Sequence, residues 1–177
     1  MTPETSLVAR ARRGDAGAFD ALIGPWIEPA WRFAAASLRD PEEARDVVQE
    51  AALKAFRKLD QLRDGAPVRP WFFAIVSNQC HSLRRTRWWT VVRIAEPQGL
   101  ASGPEDVTIR SLDLRHALAR LSREDRMALY LFYYLDLPQE EVAQIMGTST
   151  TAAKVRLHRA VRRLRPALET EVEGKPV

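Results

Sequence analysis

The chain has 177 residues, 46% of them apolar and 28% charged, with a formal charge of +4. That composition excludes a disordered polyelectrolyte and leaves room for one ordinary domain or two small helical ones. Its longest apolar runs, such as Met127 to Leu135, fall well short of the ~20 residues a membrane span requires, and Met1 to Phe19 lacks an apolar secretory core, so a cytoplasmic protein without membrane insertion is expected.

Two segments, roughly Thr5 to Arg12 and Ala16 to Leu38, read as helices with Gly14 between them, and Gly24-Pro25 predicts an interruption in the second. From Asp40 to Leu59, Ala44, Val47, Val48, Ala51, Ala55 and Leu59 recur at three- and four-residue steps, the signature of an amphipathic helix. Asp40 supplies its N-cap and Pro41 its first helical position. Arg63 to Pro70 (RDGAPVRP) breaks the pattern with a glycine and two prolines, so an ordered loop is expected, followed by a fourth helix from Trp71 to Arg85 with a strongly basic end. Cys80, the only cysteine, falls inside that helix and reads as core. It permits no intramolecular disulfide, and His81, His116 and His158 are too scattered for a metal site. Trp88-Trp89 reads as cover for apolar surface at the domain's end.

Pro97, Gly99, Ser102, Gly103 and Pro104 interrupt residues 90–107 without sustained periodicity, which predicts an interdomain linker. Beyond it, helices are expected over Ile109 to Leu121, Arg123 to Leu135, Gln139 to Met146 and Thr150 to Leu168. Ser122 and Thr148 to Thr150 offer caps, and Gly147 supplies a turn. No segment alternates like a strand and none repeats. The fold class is therefore all-α: two small helical domains, 1–89 and 108–177, joined by a flexible linker.

Leu137 to Arg165 (LPQEEVAQIMGTSTTAAKVRLHRAVRRLR) has the layout of a helix-turn-helix: a short helix ending at Gly147 and a second starting within a few residues. Ala153, Leu157, Ala160, Val161 and Leu164 make the inner stripe of the second helix. From Val142 to Arg165 the charged residues are Lys154, Arg156, Arg159, Arg162, Arg163 and Arg165, with no acid among them. A solvated surface would interleave signs, so a cationic face for DNA is the reading adopted over a merely basic helix. Thr150, Thr151, Lys154, Val155 and His158 are candidates for base edges, with Arg156 and Arg159 nearer the phosphates. No glycine-rich phosphate loop, metal cluster or activated nucleophile accompanies it, and Glu140-Glu141 suits a helix N-terminus, so no enzyme and no cofactor are expected.

Two further stretches resemble a known family. ARDVVQEAALKAFRKLDQL (Ala44 to Leu62) is similar to the D-x-V-Q-E segment of sigma-70 family RNA polymerase sigma factors of the extracytoplasmic-function (ECF) type. RPWFFAIVSNQCHSLRR (Arg69 to Arg85) is similar to the W-L-x-x-I-A-x-N segment that follows it, and Leu114 to Arg165 to the family's C-terminal DNA-binding region. The three motifs stand in the family's order over about Val8 to Leu168. The resemblance implies that Asp46, Gln49, Glu50 and Leu53 dock on the coiled coil of the polymerase's largest subunit. It implies that Arg63, Asp64, Val68, Arg69, Asn78, Arg84 and Arg85 capture an unstacked base of the −10 element and hold the melted strand, with Trp71 at their edge. The C-terminal domain would read the −35 element beside the polymerase flap, and the linker would run toward the RNA exit path. Where that pattern has an acid four positions after the asparagine this chain has Ser82, and Pro70 is unusual in its place, which leaves the −10 preference open.

The resemblance further implies an alternative sigma factor, monomeric when free, with an anti-sigma factor as a partner and nucleoid association in the holoenzyme. No segment matches the additional domains of housekeeping sigma factors, which predicts a specialised regulon. Two rivals differ in what they need. A conventional helix-turn-helix regulator would have no use for the surface from Asp46 to Glu50, and a sigma mimic that sequesters an anti-sigma factor would have no use for a basic recognition helix.

Overall fold

The computed structural model describes residues 3–90 and 112–173, with backbone alone for 84–90, 112–115 and parts of the last helix. The chain divides into two compact units, Met1–Gln98 and Gly99–Val177, and every regular element among the described residues is helical. Of the expected linker 90–107, Thr90 still belongs to a helix, while residues 91–107 and the expected start of a helix at Ile109 lie outside the described residues.

The first unit contains α1 (Pro3–Arg12), α2 (Ala16–Leu38), α3 (Pro41–Arg57), a short 3-10 turn (Leu59–Gln61) and α4 (Val68–Thr90). Helix α2 lies at its centre, packed on α1, α3 and α4. On α3 the inward residues Ala44, Ala51 and Ala55 are completely buried. Small side chains there let α3 approach its neighbours closely, while Phe33, Phe72 and Phe73 supply the bulk. Phe33 meets Phe73 edge-on at 5.6 Å and Phe72 meets Phe73 at 6.2 Å, the geometry that aromatic quadrupoles favour. Trp31 Nε1 donates to the Pro41 carbonyl at 3.1 Å, tying α2 to the start of α3. The Asp40 carboxylate caps α3 by accepting from the backbone of Glu42 and Glu43. Cys80 is buried, in line with its reading as core.

Two expectations need correction. The interruption at Gly24-Pro25 is absent: α2 runs unbroken with Pro25 and Pro29 inside it. Ala21, Gly24 and Pro25 are all exposed, so the carbonyl that Pro25 leaves without a donor faces water, and burial of Leu22, Ile23, Ala30 and Phe33 carries the helix across the defect. Helix α4 begins at Val68, not Trp71. Pro70 therefore lies in the first turn, where the missing N–H has no intrahelical partner to lose.

The second unit contains α5 (Leu112–Arg120), α6 (Arg123–Leu129), α7 (Gln139–Met146) and α8 (Thr150–Glu173). Ser122 Oγ caps α6 by accepting from Asp125 N at 3.1 Å. The helix expected to reach Leu135 instead widens over Tyr130–Tyr134 into a π turn, closed by Leu135 N donating to the Tyr130 carbonyl at 3.1 Å. Met127, Leu131, Leu137, Val142, Ala153 and Ala160 fill the core, and α8 packs on α5, α6 and α7. Gly147 takes the left-handed conformation, φ 64°, at the end of α7, and Ser149 caps α8 through Ala152 N. The helix-turn-helix expected over Leu137 to Arg165 is present.

Candidate nucleic-acid interface

The repeat that buries one face of α3 forces the residues between onto the other. Asp46, Gln49, Glu50 and Leu53 are all exposed on it. The structure adds Phe56, which is half exposed and meets Phe19 edge-on at 5.1 Å. Its signal was in the sequence, one turn beyond Leu53 on the same face. The result is a face with an acidic and amide-bearing end, an aliphatic centre and an aromatic end, suited to a helical partner that carries arginines.

The loop between the 3-10 turn and α4 is braced from an unexpected direction. Arg12 on α1 donates through Nη1 to Asp64 Oδ1 at 2.6 Å, through Nη2 to the Leu62 carbonyl and through Nε to the Leu59 carbonyl at 3.4 Å. Glu4 accepts from Val68 N at 2.6 Å and so caps α4. An open cavity of about 550 Å³ lies between α1 and this loop, lined by Thr5, Val8, Arg12, Arg63, Asp64 and Pro67 among others.

The loop candidates are distributed unevenly. Arg63 and Asn78 are exposed, and Asp64 is 90% exposed even while it accepts from Arg12. Val68 is buried in the core, because it opens α4 and its side chain joins the apolar layer there; it presents no surface to DNA. Arg69 is half-buried, with its guanidinium 5.5 Å from the centre of the Trp26 ring. Trp71 is half-buried. The side chains of Arg84, Arg85, Trp88 and Trp89 lie outside the described residues.

On α8, the stripe Ala153, Leu157, Ala160 and Leu164 is buried, with Val161 half-buried beside it. This leaves Thr150, Thr151, Lys154, Val155 and His158 exposed together over the first turns. The arginines beyond them are engaged otherwise than expected. Asp125, on α6 and 0% exposed, is approached by Arg159 at 2.9 Å, Arg163 at 3.4 Å and Arg156 at 3.5 Å. The expectation of Arg156 and Arg159 as outward phosphate contacts is corrected to this extent: Arg156 keeps only 28% of its side chain exposed and its Nε is buried with no hydrogen-bond partner. Arg159 remains half exposed, so it reaches both the interior carboxylate and the surface. Asp125 was missed because it lies outside the helix-turn-helix segment, and nothing local marks a carboxylate 31 to 38 positions before its partners.

Family models for Sigma-70 region 2 and Sigma-70, region 4 match residues 22–90 and 111–164, which are the helices that carry these surfaces. The chain is 33% identical over 168 residues to the ECF RNA polymerase sigma factor SigL of Mycobacterium tuberculosis, covering 92% of this chain and 95% of that protein. It is 30% identical over 142 residues to the RNA polymerase sigma factor SigV of Bacillus subtilis, covering 80% and 85% respectively. Among solved structures, the sigma factor RpoE of Bartonella quintana, in complex with the anti-sigma factor NepR, superposes with a TM-score of 0.68 at 28% identity over 81% of this chain and 92% of that one. The chain belongs to the sigma-70 family of RNA polymerase sigma factors, within its ECF type. It is an alternative sigma factor that directs transcription initiation, and sigma factors are DNA-binding initiation factors rather than enzymes.

Proposed function

We propose that each surface described above has one task. The exposed face of α3, from Asp46 through Gln49, Glu50 and Leu53 to Phe56, docks on the coiled coil of the polymerase's largest subunit. The loop with Arg63 and Asp64, followed by Arg69, Asn78, Arg84 and Arg85 on α4, takes the melted −10 strand. Single-stranded DNA is held by a cationic track together with surfaces on which bases insert or stack, and this segment supplies the first of these. Helix α8 reads the −35 element through Thr150, Thr151, Lys154, Val155 and His158, with Arg159 at the phosphate edge. The domain assignment follows: 1–89 as the region 2 module, 90–107 as linker and 108–177 as the region 4 module beside the flap.

The observation that carries the reading is the composition of the exposed first turns of α8. Two hydroxyls, an ammonium, an imidazole and a branched apolar group share one solvent-facing surface, which is the chemistry that groove edges and thymine methyl groups require. The free protein is proposed to be a cytoplasmic monomer that joins the nucleoid only as part of the holoenzyme. An anti-sigma factor would hold it inactive, as the complex of its Bartonella relative supports.

Binding of labelled full-length protein to core polymerase tests the first task. Gln49→Ala/Glu50→Ala/Leu53→Ala, all at exposed positions, should fold normally and weaken core binding at least tenfold. Unchanged affinity in a folded triple variant would remove α3 from the polymerase interface.

A further inference from the structure

Asp125 is the only carboxylate among the described residues that is completely buried, and it faces the helix that contacts DNA. Three guanidiniums from successive turns of α8 converge on its two oxygens: Arg156 and Arg159 on Oδ1, Arg163 on Oδ2. The arrangement is asymmetric in exposure. Arg156 is held largely inside, whereas Arg159 and Arg163 keep 50% and 55% of their side chains in solvent. An arginine carries five N–H donors in a rigid fork, so a guanidinium tied by one nitrogen to Asp125 is fixed in direction yet retains donors that face outward.

A second consequence is electrostatic. Lys154, Arg156, Arg159, Arg162, Arg163 and Arg165 have no acid among them from Val142 to Arg165, and a buried counter-charge is delivered to three of them from α6. Six cations between Thr150 and Arg165, ahead of the glutamates Glu169, Glu171 and Glu173 at the far end of the same helix, would bind any phosphate backbone, because that term is independent of sequence and grows with the number of phosphates neutralised. Restraining two of the cations limits how many can reach phosphates on DNA that does not fit.

We propose that Asp125 is a specificity-determining positioning residue. By holding Arg159 and Arg163 in fixed directions, it confines their phosphate contacts to DNA seated in one register and suppresses binding to arbitrary duplex. The inference rests on α8 being the DNA-contacting helix. Asp125 itself touches no DNA; it acts through the arginines.

The test uses the full-length protein and fluorescently labelled 25-bp duplexes, one carrying a −35 element selected with the holoenzyme and one of scrambled sequence, titrated over a range of salt. Asp125→Asn keeps the shape of the side chain and removes its charge. The expected result is roughly five- to tenfold tighter binding to scrambled duplex at 0.1 M salt, with the slope of log K against log salt steeper by about 0.9 for each guanidinium released. Binding to the −35 duplex should gain less, so the ratio between the two falls. A merely structural role would weaken both and leave the slope unchanged or shallower, and that result overturns the proposal.

Should Asp125→Asn lose its helical circular-dichroism signal, two exposed-site variants of the otherwise intact protein decide the matter on scrambled duplex. Lys154→Ala should reduce the salt slope by about one contact, and Arg159→Ala by distinctly less, since Asp125 already restrains that side chain. Equal reductions overturn the proposal. If neither duplex binds even at low salt, the reading of α8 fails and the inference fails with it; if both bind and Lys154→Ala lowers the slope while Asp125→Asn changes nothing, only the inference fails.

Discussion

Arg12 is a single side chain that determines where a loop sits. Its guanidinium joins two backbone carbonyls and the Asp64 carboxylate across about 50 positions of sequence, and Asp64 is too exposed for the ion pair alone to contribute much. The carbonyl bonds are the stabilising part. Arg12→Ala should cost about 1–2 kcal/mol in urea unfolding of the first unit and reduce open-complex formation at the promoter more than core binding. Arg12→Lys, which cannot serve three acceptors in a plane, should recover little of either. Asp15 gives a pH signature at the same scale. It accepts from Ala18 N and pairs with Arg10, and these contacts, the backbone one first, hold its carboxyl below the ordinary value. A lowered folded-state pKa contributes stability at pH values above the unfolded pKa and loses it as pH falls through the folded one. The α2 N-terminus should therefore loosen below about pH 4, visible by hydrogen exchange at Ala18, and Asp15→Asn should flatten that dependence.

At the scale of elements, the turn between α7 and α8 depends on Gly147. Its φ of 64° lies in the left-handed region and a side chain there would meet no neighbour, so the cost of substitution is conformational alone. Gly147→Ala should cost about 1 kcal/mol and Gly147→Asn less, because asparagine tolerates that region; chemical denaturation of the second unit measures both. This element was legible in the sequence for a physical reason: a glycine at the end of one apolar repeat, with hydroxyl caps opening the next, has few other structures available. Helix α3 was legible on the same grounds, through its alanine and valine spacing and the Asp40 cap. Local signals failed where tertiary packing decided. Pro25 and Gly24 predict a break that the core residues of α2 override, and Val68 looks like loop until its burial shows it opening α4. The wide turn at Tyr130–Tyr134 left no mark in the apolar run that encodes it, since a π turn and an α turn bury nearly the same residues. For the candidate site, exposed positions followed from periodicity, whereas Arg12, Glu4 and Asp125 act across long stretches of sequence that no local pattern reports.

At the scale of the whole molecule, the proposed function gives the chain one polymerase-facing helix and two DNA-facing modules. Separate weak contacts become selective when a common scaffold holds them, because the second contact then forms at a high effective concentration. Free protein should accordingly bind promoter DNA weakly at physiological salt and the holoenzyme tightly; strong promoter binding by the free chain would favour a conventional regulator. The measurement that bears most directly on the central claim is in vitro transcription with core polymerase on promoter fragments selected from the source genome. Wild-type protein should yield promoter-specific transcripts. Gln49→Ala/Glu50→Ala should lose them through failure to bind core polymerase, and Lys154→Ala/Arg159→Ala should lose them while core binding is retained. Transcripts that persist in both variants, or a wild-type protein that binds core polymerase yet initiates at no selected promoter, would contradict the account.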